Sequence, residues 1–261
     1  MSPGSESTDA SSDVRFRDGT VAKMTDPAPG TIVLLSSVLG RYSATAQCLL
    51  DLDRPAGSRV LWQAGGLNIP ANRNDIGRDF VGDWLLMMDD DHTFQPDLLR
   101  RLLSHFTDDR VDIVVPVVLM KVPGLLTSIA TAPADPDQWP LPLLTLTNQR
   151  GLQPVHAAAT AVMLIRRRVF ERVAPPWFEH HPRGYGHDHY FCLKARAAGC
   201  GVYCDFDVSV GHITPIAIWP VRDNSGQWRP NLQTILPGDQ AYTRELTRIA
   251  AEGLMPRFEL G

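Results

Sequence analysis

"WLLMMDDDHTF", residues 84–94, passes from five apolar side chains directly into three consecutive carboxylates. An apolar run of this length, with Gly82 before it and charge after it, reads as a buried strand. Asp89, Asp90 and Asp91 repel one another at its mouth, so something positive must face them. Working outward, "TIVLLSS" (31–37) and "RVLWQ" (59–63) are strand candidates upstream, and "VDIVVPVV" (111–118) is one downstream. Between them lie helix candidates at 41–52, at 70–82, where Pro70 suits a first turn and Gly82 a stop, and at 95–106. The last of these sets Leu98, Leu99, Leu102, Leu103 and Phe106 at helical spacing. Strand alternating with helix predicts an α/β protein built on a parallel sheet. Ligands of such sheets gather at the carboxyl ends of the strands, which is where the acidic triplet falls.

The chain has 261 residues and is 44% hydrophobic, enough for one large domain with a real core. Its net charge of −4 gives no general electrostatic grip on nucleic acid. Cys48, Cys192, Cys200 and Cys204 have no CxxC spacing and read as reduced thiols of a cytoplasmic protein. The longest apolar run, "IVVPVVLM" (113–120), is far short of a membrane span. Residues 1–28, rich in Ser, Asp, Gly and Pro, read as a disordered leader without a signal-peptide core. A catalytic domain over 29–218 and a C-terminal extension over 219–261 follow, the latter with a helix candidate at 239–253. The segment 119–154 has weak periodicity and predicts loops and irregular strands over a cleft. "AAATAVMLIRRRVFERV" (157–173) predicts a strand running into a helix. A helix over 187–199 and a strand over 201–213 complete the domain.

Side chains alternate along extended backbone, so Asp89 and Asp91 can face one ligand while Asp90 faces the other way. Two hard carboxylates at a strand end suit Mg²⁺ or Mn²⁺. The plainer reading is a solvated acidic turn or a helix cap. His212, after the last apolar strand, could complete a metal site with Asp89 and Asp91, and an imidazole ligand favours Mn²⁺. Asp188 in "GYGHDHYFC" (184–192) reads equally as a helix N-cap and as a base for an acceptor hydroxyl, with His187 and His189 beside it on the acceptor side. Arg73 in "ANRND" (71–75) has the fork to reach a diphosphate; taken alone, an exposed helical arginine is the simpler reading.

Together these segments resemble the family-2-like glycosyltransferases of the GT-A fold, over roughly residues 31–213. "WLLMMDDDHTFQPDLLRRLL" is similar to their strand ending in Asp-x-Asp before a Pro-Asp helix, and "ANRND" to their Arg-Asn pair. "AVMLIRRRVFERV" resembles their strand leading into Arg-Arg-x-Phe. "GHDHYFCLKARAAGCGVYCDFDVSVGHI" resembles their Gly-Glu-Asp helix and the strand ending in Gly-His. The resemblance implies a GT-A-like, Rossmann-type single domain whose central, mostly parallel sheet is flanked by helices. It implies a metal-dependent, hexosyltransferase-like enzyme using a nucleotide-diphospho-sugar donor, UDP- or GDP-linked. Asp89 would contact donor or metal, Asp91 would bind metal, His212 would be the last ligand, and Asp188 the base. Ser36 and Ser37 lie where the nucleoside is gripped; Arg73, Asn74 and Asp90 complete the donor side. Two positions depart from the pattern: His187 stands where the family has Glu, and Gln63 is the nearest polar group where an acidic residue follows the second strand. A protein or glycan acceptor fits the charge balance better than nucleic acid. The alternatives are a nucleotidyltransferase on a related fold and a binding module without turnover.

Overall fold

The structure, a computed structural model, describes residues 13–15, 21–23, 27–36, 42–64, 68–121, 125–214, 216–222 and 225–234. Along the chain, β1 (Asp13–Arg15) pairs antiparallel with β2 (Val21–Lys23), inside the stretch expected to be a leader. β3 (Thr31–Ser36), α1 (Ser43–Asp51), β4 (Arg59–Ala64), α2 (Ile69–Asp79) and β5 (Trp84–Asp89) then alternate as the apolar pattern predicts. A two-residue strand β6 (His92–Thr93) precedes α3 (Leu98–Ser104) and β7 (Ile113–Val118). The weakly periodic middle holds three short strands, β8 (Leu126–Ala130), β9 (Leu143–Thr145) and β10 (Leu152–Pro154), followed by β11 (Ala157–Ala158). β12 (Val162–Arg166), α4 (Arg167–Arg172), α5 (His187–Ala197) and β13 (Val202–His212) finish the domain. β14 (Ile216–Arg222) and β15 (Trp228–Thr234) form a two-stranded antiparallel ribbon, so the expected boundary at 218/219 falls inside a strand. The helix expected at 239–253 lies outside the described residues. Among those residues no helix is long and apolar enough to cross a membrane.

The main sheet has the order β10-β13-β7-β12-β5-β3-β4, with β6 added beside the end of β13. β4, β3, β5, β7 and β13 run parallel; β12 and β10 run against them. β12 starts opposite Met88 and runs back to Trp84. This mixed but mostly parallel sheet, covered on both faces, is the α/β architecture the sequence implied.

Strand parity divides the core. Val33, Leu35, Leu85, Met87, Met163 and Ile165 face one layer, shared with Ile76 and Phe80 of the α2 region and Phe191 of α5. Ile32, Leu34, Trp84, Leu86, Met88 and Leu164 face the other, shared with Leu49 of α1 and the leucines of α3. The buried runs of β3 and β5 are thus apolar on both faces, as expected of central parallel strands. All four cysteines are free thiols.

One polar group secures the far end of this sheet. Asp112, buried just before β7, accepts from Arg168 Nε at 2.5 Å and from the Gly201 amide at 2.9 Å. Removing one partner of a buried pair strands the other charge. Asp112→Ala is expected to cost about 3 kcal/mol in a urea titration; a loss below ~0.5 kcal/mol, the surface-substitution range, would contradict this.

Candidate active site

The parity that divides the core also sorts the triplet. Asp89 continues the Leu85–Met87 face, toward the layer of α2 and α5, and there it meets Arg73. Arg73 Nη2 donates to Asp89 Oδ1 at 2.9 Å, and Arg73 Nη1 contacts His187 Nε2. Arg73 is only 5% exposed, which corrects the reading of an exposed helical arginine. Its neighbours Ile76 and Gly77 turn the same side of α2 inward, and the Asp89 carboxylate supplies the countercharge that lets a guanidinium stay buried. Asp89 Oδ2 has no described hydrogen-bond partner. About 37% of the side chain opens onto the cleft. It is nonetheless deep among protein atoms, and this burial raises its carboxyl, with Arg73 pulling the other way.

Asp90 points to the α1 side, as the alternation predicts. Its carboxylate accepts from Ser36 Oγ at 2.9 Å, and its carbonyl accepts from Thr45 Oγ1 of α1 at 2.9 Å. Trp62 Nε1 in turn donates to Ser36 Oγ at 2.9 Å. Asp90 is buried and holds Ser36 at the end of β3. Ser37 lies outside the described residues. Gln63 sits half-buried on the edge strand β4, opposite Leu35.

Asp91 is surrounded by cationic and imidazole groups. Lys121 Nζ lies 2.5 Å from Oδ2, His212 Nε2 lies 3.3 Å from the same oxygen, and His92 Nδ1 lies 3.0 Å from Oδ1. Burial pushes the Asp91 carboxyl up, but hydrogen bonds from His212, His92 and Lys121 outweigh it and hold the group well below the usual carboxylate range. The two histidines meet because of register: β6 pairs with the end of β13, His92 opposite His212 and Thr93 opposite Gly211. Their rings stack with centroids 4.6 Å apart. Gly211 is required there, since a Cβ would stand 2.5 Å from Thr93 Oγ1. His212 Nδ1 lies 2.8 Å from the Leu119 carbonyl. A carbonyl can only accept, so Nδ1 donates to it, and Nε2 is the ring nitrogen that faces Asp91.

Asp91, His92 and His212 have ligand atoms within 4.8 Å of one another, a grouping able to hold a metal ion. The donor set, a hard carboxylate with imidazole nitrogen, one of whose tautomers is already fixed, fits a first-row divalent ion. His92 Nε2 is buried with no partner among the described residues. Asp89, expected as a ligand, stands outside this group on Arg73. His92 and Lys121 were missed from the sequence. A histidine directly after the triplet and a lone lysine after an apolar strand were their only signals.

Across the cleft, Asp188 lies in the first turn of α5. Its Oδ1 accepts from the His189 amide at 2.9 Å. Burial raises its carboxyl, but His189, His187 and Arg73 together bring it below the ordinary value. His189 Nε2 reaches the Ser128 carbonyl at 3.3 Å. Gly186, just before α5, has φ 117°, and a Cβ there would meet the Trp139 ring at 2.8 Å. Trp139 Nε1 donates to Tyr185 O at 2.8 Å, so one indole fixes the turn that delivers Asp188. Asn74, expected on the donor side, donates to Pro70 O and Phe178 O at 2.9 and 2.7 Å and accepts from Phe178 N at 3.0 Å. Its amide ties the end of α2 to the loop leading to α5.

Burial and the Arg73 charge depress His187 to about 4. The folded site thus disfavours imidazolium, and the unfolded chain takes the proton first. Stability attributable to His187 is present above about pH 6.5 and is lost as pH falls toward 4. The melting temperature is expected to drop across that window, and to drop less in His187→Asn; parallel Tm–pH curves for the two proteins would refute the assignment.

Comparison with known proteins bears on this arrangement. The profile of the family described as "Glycosyl transferase family 2" matches residues 42–174, just over half of the chain. The match takes in Arg73 and the triplet and stops short of Asp188 and His212. Among solved structures, the crystal structure of A197 from STIV is similar with a TM-score of 0.53 at 12% identity, covering 80% of this chain and 98% of that one. At that identity the likeness speaks for the fold. No curated protein sequence matches.

Proposed function

This chain belongs to glycosyl transferase family 2, whose chemistry is glycosyl transfer, and from that premise we propose that it moves a sugar from a nucleotide-diphospho-sugar to an acceptor hydroxyl with a divalent ion, Mn²⁺ or Mg²⁺. One observation carries the reading. At the carboxyl end of the central strands Asp91 and His212 converge, while the Asp89 beside them is tied through Arg73 to His187 of the helix that bears Asp188.

Asp91 and His212 would hold the ion, with His92 beside them. When bound, the ion supplies Lewis-acid stabilisation to the departing diphosphate. Asp90 keeps Ser36 in place at the end of β3, beside the nucleoside, with Gln63 on the neighbouring strand. Asp89 offers its second oxygen to the donor while Arg73 fixes the first. Asp188, ionised because its surroundings favour the carboxylate, accepts the proton of the acceptor hydroxyl. The acceptor oxygen bonds to the anomeric carbon as the bond from that carbon to the diphosphate breaks. The proton ends on Asp188 and the electron pair leaves with the nucleoside diphosphate. Such a direct displacement inverts the anomeric centre. His187 and His189 border the acceptor side, where a glycan or protein hydroxyl enters.

A screen of UDP- and GDP-sugars with Mn²⁺, reading nucleoside diphosphate release, tests this proposal. Turnover is expected with one donor class and is expected to stop on adding EDTA and return with Mn²⁺. Pyrophosphate released from a nucleoside triphosphate would establish a nucleotidyltransferase instead. Donor binding without turnover would establish a binding module. Turnover that survives EDTA would remove the ion from the mechanism.

A further inference from the structure

The Asp91 oxygen that faces His212 already has a cation on it. Lys121 Nζ lies 2.5 Å from Asp91 Oδ2, closer than His212 Nε2 at 3.3 Å to that same atom. A divalent ion between Asp91 and His212 would stand next to this ammonium, and like charges at contact repel strongly where water is scarce. One of the two must give way, and the lysine is the part built to move. Its charge sits on a flexible four-carbon stem and is about 22% exposed. The backbone just before it is fixed: Leu119 bridges Thr127, and the Met120 amide donates to Leu126 O at 2.9 Å. The carbonyl of Leu119 orients His212. A single short segment after β7 therefore supplies both the group that prepares the metal ligand and the group that competes with the metal.

Resting on the proposed metal-assisted transfer, we propose that Lys121 is a resident counter-ion of Asp91 that is displaced by the divalent ion and swings onto the donor's diphosphate. Lys121 thereby weakens binding of the free ion and strengthens binding of the diphosphate once the ion is in place. The site is then charged fully only with both present, and the leaving group gains a second positive partner as negative charge grows on it.

The two effects have opposite signs, and the test uses both. Mn²⁺ binding is followed by electron paramagnetic resonance of the free ion in the wild type, Lys121→Met and Lys121→Arg. UDP and GDP binding is followed by calorimetry at saturating Mn²⁺. In Lys121→Met, Mn²⁺ alone is expected to bind about tenfold tighter and the diphosphate about tenfold weaker, each the size of one partly shielded ion pair. Lys121→Arg, which keeps the charge, is expected to bind Mn²⁺ like the wild type. A structural role alone would weaken both affinities in Lys121→Met, and that result overturns the proposal. So does equal tightening by Arg and Met, or unchanged affinity in both assays. If neither wild type nor Lys121→Met binds Mn²⁺, the metal-assisted reading falls, and this inference with it.

Discussion

Asp91→Asn is expected to lose Mn²⁺ binding and to lower kcat/KM by at least about a thousandfold, roughly 4 kcal/mol of transition-state stabilisation. The change is isosteric, so packing is preserved, but three donors lose their anion. Lys121, His212 and His92 all direct their polar atoms at this one carboxylate. An amide can accept from them weakly and cannot neutralise a divalent ion. The neighbouring substitution is a sharp control. Asp90→Asn keeps an oxygen for the Ser36 hydroxyl and lies on the opposite face, so it is expected to cost less than about tenfold. Steady-state kinetics over a Mn²⁺ titration, with a thermal melt of each variant, separates the two. Equal losses at Asp90 and Asp91 would mean that the triplet acts as an undivided acidic patch and that the metal assignment is wrong.

Asp188→Asn is expected to reduce kcat by about a thousandfold with little change in donor KM, because it removes the proton acceptor from the acceptor hydroxyl and leaves the donor side intact. The asparagine keeps an oxygen for the His189 amide, so the first turn of α5 is expected to hold. The pH profile sharpens the test. Asp188 lies below the ordinary carboxylate value, so its base form persists into acid, and wild-type activity should not fall through its protonation anywhere above the ordinary carboxylate range. A variant that retains wild-type kcat would show that Asp188 is only a helix-terminal carboxylate.

The layered sheet was legible because its strands are short, doubly buried and separated by amphipathic helices, a pattern that sequence alone displays. Parity also carried the reading of Asp90, since it turns away from its neighbours for the same reason that Met88 does. What the sequence could not display were contacts between distant elements. Arg73 looked solvent-exposed because only the fold brings Asp89 and His187 to it. His92 drew no reading because its meaning comes from pairing with His212, a register set by β6 and β13. Lys121 lies after one strand and acts at the end of another, and charge pairs of that kind leave no spacing to detect. The bonds from the Asn74 amide to the backbone at Phe178 likewise join segments about a hundred residues apart and had no sequence signal.

The same guanidinium that grips Asp89 touches the imidazole beside the acceptor base, and this has a bearing on redesign. Arg73 has one positive charge to divide between strand β5 and helix α5. Restoring the family's glutamate at position 187 would install a stronger competitor for it and would draw the guanidinium off the donor carboxylate. On the proposed assignment, donor and acceptor preferences are therefore not separable modules in this chain. An engineer who exchanges the α5 loop for that of a relative must exchange residue 73 and its surroundings as well, or accept that a change made for one substrate will be felt by the other.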